Sequence, residues 1–177
     1  GVTAVTCVVA EVPGRVTAIH PVPPEVVAEQ IRILFEGFPI AALKTGMLHS
    51  AATLGAVVDA LSTCRGVSGT VVPLVVDPVM VATSGAMLAD DSTIAAFERL
   101  MRIAALTTPN LPELEALGGR DALLEKRYPL LIKGGHAEGD TLIDRLVDHS
   151  GEVMRWEDAR IHTTSTHGTG CTLASAI

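Results

Sequence analysis

"VVPLVVDP" (71–78) carries four valines and a leucine and no charge before Asp77. A half-exposed strand would alternate apolar with polar residues. This run does not, so it reads as a strand over 71–77 buried on both faces, the kind that fills parallel sheets packed between helices. Pro78 stops it and leaves a carboxylate at the strand's carboxyl end.

Both neighbours of this run are helical in period. "SAATLGAVVDALSTC" (50–64) repeats its apolar residues at Leu54, Val57, Val58 and Leu61, and Asp91 or Ser92 is placed to cap a helix striped by Ile94, Phe97, Leu100 and Met101. Before them come a buried strand "VTAVTCVVA" (2–10), a proline-led helix "PPEVVAEQIRILFEG" (23–37) and a short strand "IAALK" (40–44). After them come the strand "ALTT" (105–108), a helical "PELEAL" (112–117), the strand "YPLLIK" (128–133) and the alternating strand "TLIDRLVD" (141–148). A turn "HSGE", a strand "VMRW" (153–156) and a last strand "ARIHTT" (159–164) complete the order. Strand and helix alternate through the first two-thirds, so the expected fold is α/β, a parallel sheet with helices on both faces. The later hairpin adds an antiparallel edge. One link, "GGRDALLEKRY" (118–128), is short for a crossover back over the sheet.

Composition narrows the function. Hydrophobic residues make up 48% of the 177, yet aromatic ones only 3%, so the core is aliphatic. A net charge of −7 with no Lys/Arg cluster excludes a duplex binder, which needs a basic face. Three cysteines and six histidines show no zinc spacing and no disulfide framework, which makes a reducing cytoplasm the default. No apolar run approaches a membrane span. Length fits one domain over 1–177, with both ends reading as cut through longer elements.

In an open α/β sheet, ligands sit beyond the carboxyl ends of the strands. The segments that follow the strands are "TGML", "DPVMVATSG", "PNLPE", "GGH" and "STHGTGC", each carrying glycine, proline or a polar side chain. In the last of them, Gly168, Thr169 and Gly170 can turn amide hydrogens toward an anion at the head of a helix. Cys171 in that field is expected to have its thiolate favoured and to serve as a proton acceptor; a glycine-rich turn with a small cysteine is the plainer alternative. Asp77 can hold Mg²⁺ or cap a turn. Asn110 and Glu113, three apart, can face one ion or simply cap a helix. Lys133 ends a buried strand and needs an anionic partner, either a phosphate or an internal carboxylate. His136 reads as a loop donor and His167 as part of the turn.

Taken in order, "GVTAVT", "ALKTGML", "VVDPVMVATSG", "TTPNLPELEAL", "LIKGGHAEGDTLID" and "THGTGCTLASAI" resemble the hydroxymethylpyrimidine and phosphomethylpyrimidine kinases of thiamine biosynthesis, in the ribokinase-like superfamily. The resemblance implies a three-layer α/β/α fold with a mostly parallel central sheet. It implies an ATP- and Mg²⁺-dependent transfer of phosphoryl to the pyrimidine's hydroxymethyl group, and often to the resulting monophosphate. Carried over by motif, Gly168, Thr169 and Gly170 form the anion hole and Cys171 stands at the base position. Lys133, Asp77, Gly134 and Thr108 meet the nucleotide; Asp77, Asn110 and Glu113 serve the metal; Met47 and Val79 line the pyrimidine pocket. In the family a glutamine reads the pyrimidine; "VVAEVPGRV" puts Glu11 there, an acceptor that cannot donate when ionised. Relatives commonly form homodimers. The family also has a glycine-rich loop before "GVTAVT" and helices after "GTGC", so this chain is expected to be incomplete at both ends.

Pyridoxal kinases share "KTGML", "DPVM" and "GTGC" and are the nearest rival reading. A cysteine hydrolase built on Cys171 and His167 is a rival of another class, but it would not require "DPVM", "NLPE" and "KGG" at neighbouring strand ends. A non-catalytic binding or dimerisation module is the third.

Overall fold

The computed structural model describes residues 1–12, 15–66, 69–80, 90–137, 139–163 and 167–177. Its centre is a six-stranded sheet in the order β3 (Leu43–Thr45), β4 (Leu74–Val76), β5 (Leu106–Thr107), β6 (Leu130–Ile132), β7 (Thr141–Asp148), β8 (Gly151–Ala159). The first four are parallel, and the last two turn antiparallel through a hairpin. The three-layer α/β/α class and the antiparallel edge are therefore as expected. The strand over 71–77 shortens to Leu74–Val76, because Pro73 has no N–H for the ladder; its carbonyl still accepts from Leu43 N at 2.9 Å.

The parallel strands advance in one direction, so right-handed crossovers set their helices on one face. These helices are α2 (Ala51–Thr63), α3 (Asp91–Met101) and the pair α4 (Leu111–Ala116) and α5 (Arg120–Glu125). With α1 (Pro24–Gly37) they share one core: Val27, Leu54, Val57, Phe97, Leu100, Leu114 and Leu123 pack with Leu74, Val76, Leu130 and Ile132 of the strands. Helices on both faces was the expectation; the helices that build this core lie on one face, and α6 (Thr169–Ala176) contributes no described residue to that core, its Ser175 lining a cleft shared with Leu43 and Lys44. The short link is explained by α5, a six-residue helix bounded by Gly118 and Gly119 at positive φ, which supplies the missing length of crossover.

Caps match local chemistry. Ser50 accepts from Thr53 N at the start of α2. The cap of α3 is Asp90 rather than Asp91 or Ser92; its carboxylate accepts from Thr93 N at 2.9 Å and from the Ser92 hydroxyl.

The two ends differ from expectation. Residues 1–6 form no strand, and β1 (Cys7–Val12) pairs only with β2 (Arg15–Pro21) in a separate antiparallel hairpin that leaves Val8 60% exposed. A side chain replaces the missing sheet neighbour: Gln30 of α1 accepts from Val5 N at 2.9 Å and donates to Val5 O at 3.0 Å. The separate strand expected over 159–164 is not formed: β8 runs on to Ala159, and Arg160 N closes the β7–β8 hairpin by donating to Asp140 O, opposite it in the register, at 2.7 Å. Residues 81–85 and 165–166 of the loops read as ligand-facing, and Thr164 of the strand expected over 159–164, lie outside the described residues.

Candidate active site

Asp77 follows β4 and is 1% exposed. Its N–H donates to Thr45 O at 3.1 Å, and its carbonyl accepts from Val79 N at 2.9 Å, so the tight Asp-Pro turn fixes its direction. A buried carboxylate must be compensated. Here Oδ1 accepts from Lys133 Nζ at 2.8 Å and from Thr108 Oγ1 at 3.1 Å. Three adjacent strand ends thus meet at one oxygen. Thr108 is fully buried and supports Asp77 from behind. Of the two partners open to Lys133 in the sequence, the structure supplies the internal carboxylate.

Asn110 and Glu113 form the capping box of α4: Asn110 Oδ1 accepts from Glu113 N at 2.9 Å, and Glu113 Oε2 accepts from Asn110 N at 2.8 Å. Burial pushes the Glu113 carboxyl up; the Asn110 and Met80 amides and the Lys133 charge oppose this, while the nearby Asp77 charge adds to it. The pair therefore caps the helix and also stands within the electrostatic reach of Asp77 and Lys133.

The glycine turn comes to the same rim. Gly168 caps α6 in the left-handed region at φ 77°, and a Cβ added to Gly170 would lie 3.1 Å from Lys133 Nζ. Cys171 follows, with Asp77, Lys133 and Lys44 around it. The expectation of a favoured thiolate fails. Although part of the side chain meets solvent, burial is the largest influence and pushes the thiol up. Lys44 and Lys133 pull it down, but Asp77 pushes it up again, by its charge and by accepting the thiol hydrogen bond. A helix N-terminus and two cations do not outweigh a neighbouring carboxylate and lost water.

Gly134 N donates to Asp144 Oδ1 at 2.7 Å, and an added Cβ would sit 2.2 Å from Ile143 O. Only glycine fits where this turn crosses β7. Asp144 was missed in the sequence, although its place in an alternating strand beside a glycine turn was the available signal. Lys44 was missed too, a cation ending a predicted strand. His136 lies in a 3-10 turn over Gly134–His136, and His167 faces Glu11, with Nε2 to Oε1 at 3.6 Å.

The substrate-side residues divide between this cluster and a neighbouring cleft. Met47 and Glu11 line a cleft of about 1190 Å³ that runs along the N-terminal segment and β3 and includes Lys44 and Ser175. Ser175 belongs to the cysteine-bearing helix α6, where its Oγ donates back to Cys171 O at 2.7 Å. Thr45 Oγ1, in the same lining, is buried with no hydrogen-bond partner among the described residues. Val79 adjoins Asp77 and is not part of that lining. Among the described residues no group of three His, Cys, Asp or Glu side chains could hold a metal by itself. Asp77 and Glu113 do fit the habit of Mg²⁺, which takes one or two carboxylates and completes its shell with phosphate and water.

A family model described as phosphomethylpyrimidine kinase matches residues 1–177. The chain is 38% identical over 191 residues to the thiamine biosynthesis bifunctional protein ThiED of Geobacter sulfurreducens, covering 100% of this chain and 38% of that protein. It is 34% identical over 192 residues to the hydroxymethylpyrimidine/phosphomethylpyrimidine kinase of Rhizobium meliloti, covering 100% and 70%. The chain thus spans between about a third and about two-thirds of these relatives. Among solved structures, an ADP complex of Bacillus subtilis pyridoxal kinase superimposes with a TM-score of 0.79 at 26% identity, covering 98% of this chain and 69% of that one. With the match running from the first residue to the last, the chain belongs to the phosphomethylpyrimidine kinase family.

Proposed function

We propose that the protein carrying this chain is an ATP-dependent kinase of thiamine biosynthesis. It transfers the γ-phosphoryl group to the hydroxymethyl oxygen of 4-amino-5-hydroxymethyl-2-methylpyrimidine and then phosphorylates the monophosphate. The alcohol oxygen bonds to the γ-phosphorus as the bond to the β–γ bridging oxygen breaks. ADP leaves, and the hydroxyl proton passes to a base. The observation that carries this reading is the meeting of Asp77, Lys133, Gly170 and Cys171 at one rim, with Lys133 Nζ 2.8 Å from Asp77. In this reading, the glycine turn at Gly168–Gly170 and the Lys133 ammonium would stabilise the charge that develops on the phosphoryl group.

Asp77 and Glu113 would hold Mg²⁺, which when bound neutralises charge on the phosphate oxygens. Asn110 holds Glu113 in place through the capping box. Thr108 supports Asp77, and Gly134 sets the turn that follows Lys133. Cys171 is the proton acceptor. Because its thiol is pushed up, only a small thiolate fraction is ready at neutral pH, so turnover should climb as pH rises toward the thiol range. Met47, Val79 and Glu11 would contact the pyrimidine.

The likeness to a pyridoxal kinase supports a second reading, pyridoxal phosphorylation by the same rim. The cysteine-hydrolase reading has no support in the geometry, since His167 faces Glu11. Among the described residues no helix is long and apolar enough to cross a membrane. Free cysteines suit a reducing compartment, and we assign the protein to the cytoplasm, as one domain acting in a homodimer.

The test is ADP release by the full-length protein with each alcohol in parallel. Faster turnover of the pyrimidine supports the first reading; a pyridoxal rate far above it overturns the choice. Cys171→Ala should lower turnover about 10²-fold or more while nucleotide binding persists.

A further inference from the structure

We propose that Arg160 is a positioning residue for the nucleotide, acting by clamping the loop that follows β6 onto the end of β8. No feature of the sequence singled it out. Its guanidinium donates to three backbone carbonyls of one loop: Nε to Gly139 at 2.7 Å, Nη1 to Gly135 at 3.0 Å and Nη2 to Ala137 at 2.5 Å. Its own N–H donates to Asp140 O at 2.7 Å, and His162 Nε2 stands 3.6 Å from Asp140 Oδ1.

A planar fork with five donors in fixed directions can serve three carbonyls at once; an ammonium cannot span them. The bonds from Gly134 N to Asp144 and from Ala137 N to Gly134 O hold the start of the loop, and Arg160 holds the rest. Gly135 and Gly139 contribute no side chains, and Gly139 sits at φ 98°. The clamp ties the end of β8 to the loop whose first residue, Gly134, follows Lys133 at the rim. Arg160 itself meets neither Asp77 nor Cys171, so it acts through the loop and not on the reacting atoms.

The inference rests on the kinase reading, and two measurements on the full-length protein keep their failures apart. Hydrogen exchange, which needs no substrate, should show amide protection over 134–140 falling about tenfold or more in both Arg160→Ala and Arg160→Lys. The Kd for a fluorescent ADP analogue should rise about tenfold in the same variants, with the KM for the pyrimidine changing less than about twofold. Arg160→Lys keeps the charge and loses the fork, so matching losses in the two variants assign the effect to geometry. Unchanged protection over 134–140 overturns the clamp. A loosened loop with unchanged ADP affinity, or equal loss of ADP and pyrimidine binding, overturns the positioning role. Wild-type protein that fails to bind ADP overturns that role together with the kinase reading, whereas loss of ADP affinity confined to the variants supports both.

Discussion

Replacing Lys133 with Met tests the centre of the site. The ammonium and the Asp77 carboxylate are 2.8 Å apart, with side chains 13% and 2% exposed. Methionine keeps most of the volume and removes the charge. Asp77 would then keep the Thr108 hydroxyl and the Cys171 thiol as donors but face no cation of its own. Breaking one side of a buried pair costs about 3–5 kcal/mol, and the partly open lysine favours the lower end. For a chain of this size each kcal/mol moves Tm by about 2–4 °C, so a drop of roughly 6–15 °C is expected. The assay is thermal and urea unfolding without nucleotide, run on Lys133→Met, Asp77→Asn and the double variant. The double variant no longer buries a lone charge and should recover about 1–3 kcal/mol relative to the sum of the singles. A Lys133→Met protein melting within about 2 °C of wild type, or a double variant no better than additive, would refute the reasoning.

Three further outcomes follow from the geometry. With Cys7 and Cys64 replaced by Ser, alkylation of Cys171 by iodoacetamide should reach half-maximal rate at a higher pH than a free cysteine peptide; a lower midpoint would restore the favoured thiolate. Burial raises the Glu113 carboxyl, so the folded chain holds that proton more tightly than the unfolded chain does. The resulting stabilisation is present below the ordinary carboxylate pKa and is lost as pH rises through the folded value. Gln can still close the capping box, so the stability of Glu113→Gln relative to wild type should improve from about pH 4 to about pH 7, read by urea unfolding; a flat difference argues against a raised carboxyl. Gly134→Ala should cost about 2–3 kcal/mol or more in the same assay, since its Cβ meets Ile143 O at 2.2 Å, while Gly135→Ala meets nothing within 4 Å and should stay within about 1 kcal/mol; equal effects would remove the packing argument.

The parallel strands and their crossover helices could be read from the sequence because their signals are local. Aliphatic runs, helical stripes and capping side chains depend on neighbours within a few residues. The box of Asn110 and Glu113 was visible for the same reason, as an Asn followed three residues later by Glu. The motifs at the strand ends also named Asp77, Lys133, Gly170 and Cys171, which the fold brings to one rim. Where local pattern misled, a distant partner was responsible. "VTAVTCVVA" has strand propensity throughout, yet Gln30 takes the backbone of Val5, and the rest leaves the sheet as a hairpin. "ARIHTT" looks extended, yet Arg160 spends its donors on the loop after β6.

The sequence by itself determined which residues carry charge, thiol or flexible backbone, and that they recur after strands. Only the tertiary structure decided which of them pay attention to one another: that Lys133 answers Asp77, that Thr108 turns inward, and that the Cys171 thiol is pushed up by burial. Charge and hydrogen-bond energies depend on distances and on how much water is excluded, and both are set by segments far apart in the chain meeting at one sheet edge.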